Sequence, residues 1–403
     1  MHDALGGGTV IACAAELFAP ISDEAVSGAA ATLCRTHPVL TFSPSGGRFV
    51  PHWRAIAVEK VAIPEPSEFL DALTNRSFPA GAPPVAIATC GRMVGVAFHH
   101  AIVDGLSAFR FLRDLVELAY APRELQSPGA LGPSVEARIG ARHGATSLWT
   151  NLRENVAHEW RSRAATPHKA RFEQHVPFAR RTTRHLAFAL PQHESEAVIA
   201  HGKSSGAGLH AWLAAAELLA NRDQFFARRA DTFLRHHTAI DLREAAGMSP
   251  RELACAIAVV DTAHAVAGKT MRALAAEIAG ALPIARARRG RMATKFPRWL
   301  AHAGVRLTLR SSEADRRFLY QSSLTNLGRL ADHPADAHIA RYFANSGRIV
   351  GDFPFLAQVF SHRGIVQGAF SYCEPLMSHT AATEHFERFR AHALQSAALR
   401  RAA

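Results

Sequence analysis

The densest run of chemically capable side chains in the chain is His99-His100-Ala101-Ile102-Val103-Asp104-Gly105. An imidazole titrates near neutrality, so it can accept a proton at pH 7 and return it, as a nucleophilic acyl transfer requires. The run continues directly from an apolar stretch at 94–98 that reads as a strand. Successive strand side chains point to opposite faces, so one His belongs to the scaffold and the other is free to face a cavity. The same divergence argues against a metal site of two His and one Asp, whose ligands must converge on one point. Gly105 leaves room for a backbone or substrate to come close. A single His among 23 also has an ordinary structural reading, so its surroundings must decide.

Those surroundings are regular. Apolar strands at 85–89 and 94–98 flank a turn at Cys90-Gly91-Arg92, and the helix after Gly105 carries Leu106, Phe109, Leu112, Leu115 and Val116 on one face. Upstream lie a strand at 9–14 and a helix over 25–34, begun by Ser22 or Asp23 and stopped before His37-Pro38. A hairpin over 42–53 and a short helix at 68–73 follow. Residues 122–133, rich in Pro, Gly and Ser, read as a loop, and a polar, Arg-rich helix covers 149–163. The second half holds strands at 184–190, 236–241, 253–259, 320–324, 349–360 and 365–372. Its helices fall at 194–201, 209–221, 269–282 and 382–400, with a basic segment at 286–298. Strand and helix alternate on both sides of a boundary near 165–182, which makes the class α/β.

His99-His100-x-x-x-Asp104-Gly105, set between an apolar strand and an amphipathic helix, resembles the HHxxxDG signature of the thioester (CoA)-dependent acyltransferase superfamily. That group includes chloramphenicol acetyltransferase, plant HxxxD acyltransferases, polyketide-associated acyltransferases, wax ester synthases and the condensation domains of peptide synthetases. Other segments agree in order along the chain. Arg35-Thr36-His37-Pro38-Val39-Leu40 resembles the family's rHPxLr segment, and 209–216 the helix opening its second half. Ile240-Asp241-Leu242-Arg243 resembles the DLR segment, and Ser323-Leu324-Thr325-Asn326-Leu327-Gly328 the SNLG strand end. Asp352-Phe353-Pro354-Phe355-Leu356 is only a partial echo of the plant DFGWG motif.

The resemblance implies two chloramphenicol acetyltransferase-like subdomains, 1–175 and 176–403, each a mixed sheet flanked by helices, with a channel between them. It implies that His100 is the general base in that channel and that His99 packs beneath the strand. Asp104 would turn away to pair with Arg243. Thr325 would donate to the tetrahedral oxyanion, with Asn326 or Ser323 as alternates. The implied reaction moves an acyl group from acyl-CoA, or from acyl-phosphopantetheine on a carrier protein, to a hydroxyl or amine of a small molecule. The setting would be secondary metabolism or lipid biosynthesis. The alternative is a catalytically inactive, condensation-like relative that binds a ligand or docks a carrier protein.

Composition narrows the partners. Lys+Arg 46 against Asp+Glu 34 gives a net charge of +12, which excludes an acidic solvating protein and permits anionic partners. The cluster Arg286, Arg288, Arg289, Arg291, Lys295 and Arg298 could grip coenzyme A phosphates or an acidic carrier, or form a solvated face. Phe296, Trp299 and Leu300 leave peripheral membrane contact open. Nucleic acid is not an expected partner, because no stacking or recognition module appears. Five Cys with no CxxC pair argue against a disulfide scaffold or a thiolate zinc site and fit a reducing cytoplasm. A monomer with no metal and no tightly held cofactor is expected, without a signal peptide. His201-Gly202-Lys203-Ser204 lacks the earlier Gly of a phosphate loop and reads as a helix end.

Overall fold

Two nearly uninterrupted apolar runs, VIACAAEL and MVGVAFH, become β1 (Val10–Leu17) and β6 (Met93–His99), antiparallel neighbours in the first sheet. The computed structural model describes residues 9–395, apart from 46–47, 53, 80, 126–130, 144–148, 151–152, 155, 158–159, 161–167, 250 and 293–297. Side chains of 143, 287–292, 298–305 and 308 are likewise outside the description, so the basic cluster beyond Arg286 and the Phe296-Trp299-Leu300 patch lie outside the described side chains.

The first sheet runs β11-β1-β6-β5-β4, with β4 (Val58–Lys60), β5 (Val85–Cys90) and β11 (Ile339–Ser346) completing it. Only the β4–β5 pair is parallel. Strands β1 and β6 are apolar throughout because both faces of the sheet are covered. Ile11, Cys13, Ala15 and Leu17 pack under helices α1 (Asp23–Thr36) and α3 (Gly105–Tyr120). Val10, Ala12 and Ala14 face Phe69, Leu70 and Leu73 of α2 (Pro66–Thr74). A Cβ at Gly95 would lie 2.5 Å from Leu73 Cδ1, so α2 sits this close to the sheet only because that side chain is missing.

The second sheet runs β7-β13-β12-β10-β8-β9, from β7 (Thr182–Ala189), β8 (Phe233–Asp241), β9 (Ile257–Ala265), β10 (Ser322–Arg329), β12 (Leu356–His362) and β13 (Ile365–Glu374). Its middle is parallel, β12 to β10 and β10 to β8. The helices beyond α3 are α4 (Val135–His143), α5 (Gln192–Ser204), α6 (Gly208–Phe225), the single turn α7 (Arg243–Ala246), α8 (Met271–Met292), α9 (Arg298–Asp315) and α10 (His379–Ala393). Trp212 and Ala216 of α6, Ile278 of α8 and Phe389 of α10 cover Leu324, Ala357, Val359 and Phe370 of the sheet. The hairpin β2 (Phe42–Ser45) and β3 (Arg48–Pro51) stands apart. The architecture is thus α/β, two mixed sheets flanked by helices, as the resemblance implies.

Some expected elements moved. The strand expected at 253–259 begins only at Ile257, because residues 254–256 spend their backbone groups on the start of α3. Strand β11 and helix α9 have no counterpart in the sequence reading, and the expected helix at 149–163 falls largely outside the described residues. The His201-Gly202-Lys203-Ser204 segment is the end of α5. Among the described residues no helix is long and apolar enough to cross a membrane.

Candidate active site

The HHxxxDG segment bridges β6 and α3. His99 closes β6 opposite Val10, is buried, and meets Phe78 edge-on at 6.3 Å between ring centroids. The Ala101 amide donates to His99 Nδ1 at 3.2 Å, so the ring belongs to the turn beneath the strand. His100 emerges on the other side. Its amide is anchored on the Thr9 carbonyl at 2.8 Å, and the residue as a whole is only partly buried. Burial by the surrounding protein pulls its basicity below the ordinary imidazole value, and the charge of Arg348 pushes the same way. Backbone hydrogen bonding at His100 and Val103 and the Asp104 carboxylate oppose the shift without cancelling it. A neutral imidazole at pH 7 is what a proton acceptor must be. Cys255 Sγ lies 4.0 Å from His100 Nδ1, leaving Nε2 as the ring atom turned away from the thiol.

Asp104 does different work. It has no exposed surface, and its Oδ1 caps α3 by accepting from the Ser107 amide at 2.9 Å. The same oxygen accepts from Arg243 Nη2 at 2.8 Å, while Oδ2 accepts from the Ala256 amide at 2.8 Å. None of these bonds goes to His100. Arg243 arrives from α7, held by Asp241 Oδ1 at 2.9 Å, and its Nη2 also reaches Ser107 Oγ at 2.7 Å. Ser107 Oγ exchanges hydrogen bonds with the backbone of Ala254. The carboxylate, guanidinium and hydroxyl therefore lock the start of α3 to the loop preceding β9.

Gly105 faces the second sheet. A Cβ there would lie 3.3 Å from Leu327 Cδ2 and 3.6 Å from Gln358 Nε2, so the bare α-carbon sets how closely α3 meets β10 and β12. One turn along, Phe109 meets Phe360 of β12 edge-on at 4.7 Å. On β10, Thr325 is partly exposed and sits beside Gln358 of β12 in register. Asn326 is partly exposed, but its Oδ1 accepts from the Gly328 amide at 2.8 Å, in a turn where Gly328 takes a φ of 77°. Ser323 is buried opposite His237. On the loop after β11, Arg348 stacks 5.4 Å from the Phe353 ring centroid and pairs with Asp352, and burial lowers its basicity to about 10. The structure thus joins His100, Asp104, Gly105 and Arg243 at one seam, with Thr325 on a strand facing it. Sequence reasoning missed Cys255, Gln358 and Arg348. No local pattern marks them, although Ser107, three residues past a capping Asp, was readable as the capped position.

Among the described residues one cluster elsewhere has metal-ligand composition: Asp114, Glu117 and His333, with candidate ligand atoms within 4.8 Å of one another. The Ala335 amide donates to His333 Nδ1, so the ring hydrogen sits on Nε2, which faces Asp114 Oδ1 at 3.1 Å. Arg110 pairs with Asp114 and Arg123 with Glu117, which makes the cluster an ion-pair network with its lone pairs engaged.

Solved structures share this architecture. The EpoB NRPS cyclization-docking bidomain from Sorangium cellulosum matches with a TM-score of 0.69 at 12% identity, over 96% of this chain and 80% of that one. Polyketide synthase associated protein 5 from Mycobacterium tuberculosis gives 0.65 at 16%, over 96% and 94%. The first condensation domain of the calcium-dependent antibiotic synthetase, in complex with a substrate analogue, gives 0.66 at 12%, over 98% and 92%. No family model and no curated protein sequence matches the chain. At these identities the likeness is one of fold, and the chain shares the architecture of these solved domains.

Proposed function

We propose that the protein transfers an acyl group from a CoA or carrier-protein thioester to a hydroxyl or amine of a small molecule, with His100 as general base. The observation that carries this reading is the contrast within the motif. One imidazole is held below its ordinary basicity by burial and stays outside every Asp104 hydrogen bond, while the carboxylate beside it is spent on the fold. In the reaction, Nε2 of His100 takes the hydrogen of the acceptor as its oxygen or nitrogen bonds to the thioester carbonyl carbon. The carbonyl electron pair moves onto oxygen, and the Thr325 hydroxyl donates to that oxyanion. Asn326 is the alternate donor, through its Nδ2, since its Oδ1 is engaged at Gly328. Collapse of the adduct breaks the C–S bond, and the departing thiolate takes the proton back from His100.

A carrier-bound phosphopantetheine thioester fits the solved relatives, which include synthetase condensation and cyclization-docking domains. The test is thiol release from a panel of acyl-CoA and acyl-pantetheine donors with alcohol and amine acceptors, products being weighed by mass spectrometry. His100→Ala should lower turnover by about 10²–10⁴ and leave the circular dichroism spectrum intact. Wild-type protein inert towards every donor would favour a relative that only binds or docks.

A further inference from the structure

Gln358 lies on β12 in the middle of the second sheet, with 3% of its surface exposed. Its Nε2 is buried and has no hydrogen-bond partner. The face it occupies mixes apolar contacts with Thr325, Gln367 and Ser371, which pair in register with Gln358, Phe360 and Leu356. Two residues along, Phe360 meets Phe109 of α3, and across the strand pair Leu327 abuts Gly105. Residues of the opposite parity, Ala357 and Val359, belong to the core beneath α6 and α8. Gln358 thus points to the α3 side, and its Nε2 lies 3.6 Å from the position a Gly105 Cβ would take. An amide N–H group buried here without a partner loses its hydration and regains nothing, a cost that a Leu or Met of similar size would avoid.

A second observation gives the amide a direction. Thr325 is paired in register with Gln358 on the neighbouring parallel strand, and paired residues of adjacent strands project to the same face. The Thr325 hydroxyl and the Gln358 amide are therefore adjacent donors, both turned to the seam that the His100–Gly105 turn closes from the other side.

We infer that Gln358 is a second donor to the oxyanion, acting with Thr325 on the oxygen of the tetrahedral adduct. The inference rests on the acyl-transfer reading. Two donors from neighbouring strands can converge on one oxygen, and rigid strands hold them in place before charge develops. Gly105 serves the same end, since any side chain there would occupy the space beside the amide.

The experiment is Gln358→Met, with Gln358→Glu as a variant that keeps shape but replaces the N–H donor by an acceptor. Met should lower kcat by about 10²–10³ while KM for the acyl donor changes by less than about threefold, because the bond is made only to the transition state. The urea midpoint should equal or exceed that of wild type, since an unpaired buried amide has been removed. Glu should lower kcat at least as far as Met does. A Met variant with near-wild-type kcat, with its loss confined to KM, or with a lower midpoint would overturn the inference. A wild-type protein with no thioester turnover is a separate result that sinks the acyl-transfer reading itself. The comparison here is made between two proteins of which one is already active.

Discussion

Replacing Asp104 should chiefly cost stability, and the size of the loss follows from its partners. The carboxylate is fully buried and receives the Ser107 amide, Arg243 Nη2 and the Ala256 amide. In Asp104→Ala the cap on α3 is lost, worth about 1 kcal/mol, and the Ala256 amide is left without an acceptor, worth about 1–3 kcal/mol. Breaking a buried ion pair costs roughly 3–5 kcal/mol. Arg243 retains Asp241, whose side chain is 43% exposed, so the lower part of that range applies. These contributions share one carboxylate and do not add, which puts the loss at about 4 kcal/mol, a large share of a typical total of about 5–15 kcal/mol. Asp104→Asn keeps the shape and one acceptor but turns an N–H toward a donor, so about 2 kcal/mol is expected. The assay is urea denaturation followed by circular dichroism, beside thioester turnover of the folded protein. Both variants should unfold at lower urea, and the folded Asn variant should stay within about tenfold of wild-type turnover, far short of the loss from removing a base. An Asn variant with the wild-type midpoint and turnover reduced as far as in His100→Ala would refute the division of labour argued for this motif.

Three further outcomes are expected. Because burial and Arg348 hold His100 below its ordinary basicity, the acid limb of kcat/KM should lie below pH 6.5, and Arg348→Met should move it upward; movement downward would contradict the electrostatic assignment. Cys255 sits beside His100 where a nucleophile would, but burial, reinforced by Asp104 and Glu136, pushes its thiol up to about 12, so Cys255→Ser should keep kcat within about threefold. A large loss accompanied by an acylated Cys255 in the intact mass would replace base catalysis by a covalent route. Burial also lowers His210 to about 4, so the unfolded chain binds the extra proton first and stability should fall as pH drops from 6.5 to about 4, by up to about 3 kcal/mol from this residue. His210→Gln should flatten the urea midpoint over that range, and an unchanged pH slope would exclude His210 as a source.

How much of this was legible in the sequence depends on where each strand finds its partner. The helix after Gly105 declares itself, because Arg110, Asp114 and Glu117 make one face polar and the 3.6-residue period survives. Strand β11 does not. Tyr342 and Phe343 are both buried although they point to opposite faces, so no alternation marks the strand, and its partner β1 lies more than 300 positions away. Helix α9 escaped for the opposite reason. Its sequence is polar and Arg-rich, and among its described side chains it is tied down by Leu309 and by Glu313, which takes a bidentate bond from Arg181. The site divides in the same way. His100, Asp104 and Gly105 stand within six residues and carry a chemical pattern, whereas Asp104 and Arg243 are 139 positions apart and spacing alone cannot join them. Gln358 is the extreme case. A polar residue between Ala357 and Val359 reads as the solvated side of a half-buried strand, yet both faces of β12 are covered. Only the folded molecule shows that the alternation at 358 marks a face turned to another part of the chain rather than to water. A polar side chain in that position carries a desolvation cost that packing does not explain, and the same reasoning that makes it invisible in the sequence makes it informative in the structure.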